Sequence, residues 1–181
     1  MKPLFCLALA ALLPFAPPAF AQTPDRSADD WQVCFTPDED CTQKLVGALR
    51  QARRAIFVQA YSFTSAPIAR ALADARKRGI AVEVILDHSQ QTEKYSSADF
   101  LARAGIPTYI DAAHAIAHNK VMVIDDETVV TGSFNFTKAA QVHNAENLLI
   151  VRDAALAQQY LANWRLHRGH SEPYRPARGS R

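Results

Sequence analysis

The chain has 181 residues, of which 49% are hydrophobic and 21% charged, with 20 Lys and Arg against 18 Asp and Glu. That balance excludes a natively disordered chain and leaves room for one domain with a substantial core. The net charge of +2 is compatible with a polyanionic substrate but does not require one.

The first stretch, MKPLFCLALAALLPFAPPAFAQ, carries Lys2, then an apolar run interrupted by Pro14, Pro17 and Pro18, then Ala19-Phe20-Ala21. A positive start, a short apolar run and a small-x-small end mark a signal peptide, here residues 1–21, which would direct the mature chain to the periplasm or the exterior. The run is too short and too rich in proline for a spanning helix, so no stable membrane span is expected. Residues 22–31 are polar and read as a flexible N-terminal segment. Cys6 departs with the leader. Cys34 and Cys41 remain, close together in an oxidising compartment, and a short-loop disulfide at the domain entrance is expected of them; a metal site on this pair would need soft ligands that the chain lacks.

From Thr42 to Arg54, Leu45, Val46, Leu49 and Ala52 recur at helical spacing. AIFVQAYSF (55–63) has the composition and length of a strand. Ser65 and Pro67 then open a helix that runs to Gly79, and IAVEVILD (80–87) reads as a second strand. A short helix over 97–104 closes at Gly105, followed by the short strand IPTYI (106–110). NKVMVID and TVVTG form two strands joined by a hairpin turn at Asp125-Asp126-Glu127, NLLIVRD (147–153) is a further strand, and 154–167 is a closing helix with Leu156, Tyr160, Trp164 and His167 near one stripe. Strands alternating with helices, then a hairpin, imply an α/β domain with a mixed sheet. Residues 171–181, SEPYRPARGSR, read as a disordered basic tail.

Chemistry concentrates in HNKVMVIDDETVVTGSFN, from His118 to Asn135. Residues two apart on a strand share a face, so His118 and Lys120 project together and Asp125 has the opposite parity. After the turn, Gly132 allows close backbone approach, while Ser133 and Asn135 supply a hydroxyl and an amide. A neutral imidazole, one fixed cation and two neutral hydrogen-bonding groups suit a phosphodiester: Lys120, Ser133 and Asn135 would hold the phosphate while His118 attacks phosphorus. A carboxylate on the other ring nitrogen would fix the tautomer, and Glu146 is the preferred candidate. An isolated H-x-K is most often a solvated surface pair and an isolated G-S-x-N most often a turn; the weight lies in the joint spacing H-x-K-x4-D-x6-G-S-x-N, met without a gap.

With that spacing the chain resembles the phospholipase D superfamily through its HKD signature, and within it the small secreted bacterial endonucleases. The likeness extends in order over VCFTPDEDC, QAYSFTSAPIARAL, GIAVEVILD, HNKVMVID, TGSFNFTKAA and NAENLLIV, roughly residues 32 to 168. The resemblance implies a phospholipase-D-like mixed β-sheet flanked by helices, with one HKD half-unit per chain in a catalytic domain over 32–170. It implies a catalytic set of His118, Lys120, Asp125 and Glu146, in which Asp125 is mainly a structural hydrogen-bonder and Glu146 orients the histidine. It also implies phosphate binding by Lys120, Ser133 and Asn135, with no cofactor and no metal in the reaction.

A phosphohistidine route needs one imidazole to attack and a second to protonate the leaving oxygen. The chain carries one motif, so a homodimer with the active site at its two-fold interface is the economical expectation. His114 and His143 are the rival second imidazoles within the chain; His88, His167 and His170 are expected at the surface or in a loop. The leading expectation is a metal-independent, non-specific endonuclease on DNA or RNA, with phospholipid headgroup hydrolysis as the alternative. Two further readings carry less weight: a metal-dependent nuclease using His118 with Asp125, Asp126 or Glu127, and a non-catalytic nucleic-acid-binding module. Tyr61, Phe63, Phe134 and Phe136 are read as core residues rather than base-stacking platforms, while Ser62 and Thr64 either border the site or, at least as well, serve as strand-end and cap hydroxyls.

Overall fold

The runs AIFVQA and AVEVILD, rich in β-branched and apolar residues, form β2 (Ala55–Ala60) and β3 (Ala81–Asp87); the amphipathic stretch between them forms α2 (Ala66–Lys77), with proline in its first turn. In the computed structural model, which describes residues 30–176, β2 and β3 pair in parallel, as the helical crossover requires. The expected signal peptide over 1–21, most of the expected flexible segment and residues 177–181 lie outside the described residues.

The other anticipated elements are α1 (Cys41–Gln51), α3 (Ala98–Arg103), β4 (Thr108–Asp111), β5 (Lys120–Ile124), β6 (Thr128–Gly132), β7 (Glu146–Arg152) and α5 (Ala154–His170). Two elements were not legible in the sequence: β1 (Trp31–Thr36) and α4 (Lys138–Val142). β1 is an edge strand paired along its length with β7, and α4 is a single turn whose cap is Thr137, accepting from the Ala140 N–H. Neither is long or periodic enough to signal itself; tertiary pairing and capping create both. The tail expected to be disordered from 171 onward instead begins with β8 (Glu172–Pro173), paired antiparallel with β4, so the ordered domain extends past 170. Tyr174 adds to the anchoring, with its hydroxyl donating to Asp99 at 2.6 Å.

All eight strands join one sheet in the order β1-β7-β6-β5-β2-β3-β4-β8, parallel across β2, β3 and β4 and antiparallel elsewhere. This is the expected mixed sheet flanked by helices. Alternation along the strands supplies both faces: Ile56, Val58, Val84, Met122 and Val130 pack toward α1 and α2, whereas Ile85, Val121, Val123 and Val129 pack toward α5. Trp164 of α5 packs against Phe57, with ring centroids 4.9 Å apart and the planes tilted by 56°, and donates its indole N–H to the Val58 carbonyl at 2.9 Å, so the polar end of this buried ring is satisfied. Cys34 and Cys41 form the expected disulfide, joining β1 to the start of α1.

The β5–β6 turn explains the motif aspartate. Asp125 and Asp126 hold positive φ of 56° and 60°, which short polar side chains tolerate better than most. The Asp125 carboxylate accepts from the backbone N–H groups of Arg53, Arg54 and Ala55 at 2.7 to 3.0 Å, tying the start of β2 to the hairpin. Burial pushes this carboxyl up, but those N–H donors and Arg54 prevail and hold it below its ordinary value of 3.8. Hydrogen bonds to a charged acceptor contribute roughly 1.5–3 kcal/mol each. Asp125→Ala is therefore expected to cost about 2–4 kcal/mol at neutral pH, measured by denaturant unfolding. Because the folded value is depressed, the contribution is complete above 3.8 and fades as pH falls through the folded-state value, so the gap between wild type and variant should narrow in acid.

Candidate active site

Strand direction assembles the site. β5 begins at Lys120 beside Ala60 at the end of β2; β6 ends at Gly132 beside Leu148; β7 begins at Glu146 beside Thr36 of β1. One end of the sheet thus receives Lys120, Gly132 and Glu146 with the loops carrying His118, Ser133 and Asn135. These six residues line one cleft of about 430 Å³. Asp125 sits at the far end of β5 and does not join them, so the structure gives it the structural part of its expected role alone. The same separation overturns the reading in which His118 and the turn carboxylates Asp125, Asp126 and Glu127 share a metal.

His118 lies in the loop just before β5 rather than within the strand, and is an exposed residue. The expected pairing with Lys120 holds: Nζ is 3.2 and 3.3 Å from the two ring nitrogens and donates to the His118 carbonyl at 3.0 Å. Lys120 is only 7% exposed. Burial pulls its ammonium below the ordinary lysine value, and the Glu146 carboxylate acts in the opposite sense. Glu146 thus belongs to the cleft electrostatically, but its carboxylate accepts from Asn144 Nδ2 at 2.9 Å rather than from the His118 ring. The ring instead faces Tyr61, with centroids 4.6 Å apart, and Lys120 Nζ lies 5.4 Å from the same phenol ring. Tyr61, expected in the core, is a half-buried wall of the site; an aromatic beside a strand end carries no sequence signal that separates the two. Phe63, Phe134 and Phe136 are buried as expected.

Ser133 Oγ accepts from the Asn147 N–H at 3.0 Å and from its Nδ2 at 3.3 Å, which leaves the hydroxyl hydrogen to donate into the cleft. Asn135 lines the cleft with its Oδ1 buried and unpartnered. Gly132 has a φ of 139°, and a Cβ there would lie 2.3 Å from the Asn147 carbonyl oxygen. Backbone, not a flexible side chain, is the obstacle.

Two buried aspartates hold the loop 112–119. Asp87, at the end of β3, accepts from the Ala117 N–H at 2.7 Å and from the Ser89 N–H at 2.9 Å. Burial raises this carboxyl, yet its donors hold it below the ordinary value. Asp111, its register neighbour at the end of β4, accepts from the Ala113 N–H and contacts His114, His167 and His170. Burial again raises it, but the three imidazoles and the Ala113 N–H hold it at about 2. His114 is therefore turned to Asp111 and does not supply a second imidazole to His118. His167, expected at the surface, is half-buried, and His170 is exposed as expected; both close on the same carboxylate. His143 is exposed at the end of α4 and outside the residues that line the cleft.

With this geometry in view, residues 45–165 match the family described as cardiolipin synthase, PLD-like domain. A phospholipase D of Rickettsia bellii is 46% identical over 132 residues, 73% of this chain and 66% of that protein. The mitochondrial cardiolipin hydrolase of Mus musculus is 31% identical over 129 residues, 71% of this chain and 58% of that protein. Among solved structures, the phospholipase D family member Nuc from Salmonella typhimurium superposes with a TM-score of 0.78 at 36% identity, over 80% of this chain and 97% of that one. The chain belongs to the phospholipase D superfamily, a group of phosphodiester hydrolases. It spans about two thirds of the length of the Rickettsia relative, and less of the murine one.

Gly132→Ala is expected to distort the cleft more than to unfold the domain, because the forced shift falls on Asn147 and hence on Ser133. Activity on a phosphodiester substrate should drop by at least about tenfold, since misplacement of about 1 Å can cost about a hundredfold. Kinetics beside a melting curve would test it.

Proposed function

We propose that the protein is a periplasmic or secreted phosphodiesterase that cleaves nucleic acid through a phosphohistidine intermediate, with no metal in the reaction. The observation that carries this reading is the convergence of His118, Lys120, Ser133, Asn135 and Glu146 on one cleft. A neutral His118 nitrogen attacks phosphorus and the phosphorus–oxygen bond to the leaving group breaks. Lys120 and the Ser133 hydroxyl neutralise and hydrogen-bond the non-bridging oxygens, with Asn135 beside them. The leaving oxygen takes a proton from a second imidazolium. Water then attacks phosphorus, that second imidazole removes its proton, and the nitrogen–phosphorus bond breaks to free His118.

The second imidazole is assigned to the partner subunit's His118 in a two-fold dimer. Two observations support this. His114 is engaged by Asp111, and apolar side chains are exposed on the segments around the cleft, with Phe35 at 54%, Ile116 at 57% and Val142 at 43%. Solvent-exposed apolar groups beside a polar cleft favour association.

Nucleic acid is preferred as substrate because the chain matches nearly all of Nuc but only part of the relatives named for lipid hydrolysis. Those relatives favour the second reading, hydrolysis of a phospholipid headgroup ester. Mature protein in EDTA is expected to digest plasmid DNA and to leave phosphatidylcholine intact; the reverse pattern selects the lipid reading. His118→Ala should lose at least about 10³-fold in rate, and Lys120→Met about 10²–10³-fold. Acid-labile phosphate trapped on His118 during turnover, with activity confined to the dimer in sedimentation, is the expected outcome. Full activity in a monomer would overturn the dimeric site.

A further inference from the structure

Asp111, His114, His167 and His170 meet at the same end of the sheet as His118, yet none of them lines the cleft. Among the described residues they are the one group of three or more His, Cys, Asp or Glu side chains whose ligand atoms gather closely, all within 4.8 Å of one another. We infer that these four side chains form a site for a zinc-type divalent cation that clamps the end of α5 to β4 and to the loop bearing His118.

The spacing of the donors supports this. Four ligands at about 2.0–2.1 Å around a tetrahedral zinc lie roughly 3.3–3.4 Å from each other. The Asp111 oxygens already stand 2.7 Å from His167 Nδ1, 3.2 Å from His114 Nδ1 and 3.3 Å from His170 Nε2. The imidazole centroids are 4.9 to 5.2 Å apart, so the rings surround the carboxylate rather than stacking beside it. His167 and His170, one turn apart on α5, necessarily share a helix face. His114 follows Asp111 at the same spacing of three.

Chemistry selects the ion. Three imidazoles and one carboxylate suit zinc, and to a lesser degree nickel or copper, whereas calcium and magnesium prefer all-oxygen shells. Four protein ligands leave no open position, the mark of a structural rather than a reacting metal. Burial suits capture: the Asp111 side chain is fully enclosed, while those of His114 and His170 are 46% and 38% exposed and free to adjust as an ion enters. The surroundings are braced, with Ser171 Oγ donating to the His167 carbonyl at 2.7 Å and the Arg168 guanidinium 3.4 Å above the Tyr109 ring. Without a metal the cluster is a carboxylate satisfied by hydrogen bonds from its three histidines, and the experiment must separate the two states.

Tag-free protein, stripped with chelator and reloaded with Zn²⁺ or Co²⁺ alone, is the test, and it needs no substrate. One equivalent of Zn²⁺ per chain should survive gel filtration and raise the melting temperature, and Co²⁺ should give the visible bands of tetrahedral coordination. His167→Gln with His170→Gln should weaken Zn²⁺ binding by more than about 100-fold, since half the ligands are gone. His118→Ala should bind as wild type does, which separates this site from the cleft. The inference is overturned if wild type retains no stoichiometric metal and shows no cobalt bands, if the double variant binds equally well, or if His118→Ala abolishes binding. Should the double variant fail to fold, the cobalt spectrum and stoichiometry of the wild type, with His114→Gln as the milder variant, decide the matter.

Discussion

Lys120 enters the sheet at its middle, paired with Ala60 of β2 on one side and flanked by the end of the neighbouring strand β6 on the other. Everything about the cleft follows from that antiparallel seating. Because β5 runs opposite to both neighbours, its first residue meets their last ones, and the return of β7 brings Glu146 to the same edge. A one-residue slip of β5 would send Lys120 to the other face and the apolar Val121 and Val123 away from α5. The hydrophobic register that holds α5 on the sheet therefore also aims the cation.

Burying that cation has a cost, and the cleft is arranged around it. Lys120 is drawn out of water beside an aromatic ring, with Glu146 as the carboxylate that partly offsets the loss of solvent. An ammonium held this way gains from an anion that arrives in the cleft, because attraction is stronger where water is excluded. The neutral partners are placed for the same end. Ser133 is pinned through both of its lone pairs by Asn147, and Gly132 lets the Asn147 carbonyl approach where a side chain would collide.

His118 stands on a loop, and loops position side chains poorly unless tied down. Here two aspartates at adjacent strand ends do the tying, Asp87 at Ala117 and Asp111 at Ala113 and His114. The second of these also gathers the end of α5, so a long-range packing contact and the reacting loop share one anchor. The hairpin aspartate Asp125 does equivalent work at the opposite edge, where it fastens the start of β2.

Local pattern in the sequence was enough to define the mixed sheet, most of the helices, the cysteine pair and the motif residues, because strand parity, helical period and turn chemistry depend on near neighbours in the chain. The motif also brought Glu146 into view, although not the Asn144 amide that holds it. Three-dimensional pairing alone decided the rest. β1 and β8 exist because strands distant in sequence satisfy their backbones, and Tyr61 became part of the cleft because β2 happens to end beside His118. Asp111 and His167, 56 residues apart, meet because α5 packs back across β4. Such meetings are set by how elements cross, which depends on the summed burial of the whole core, and no short window of sequence contains that information.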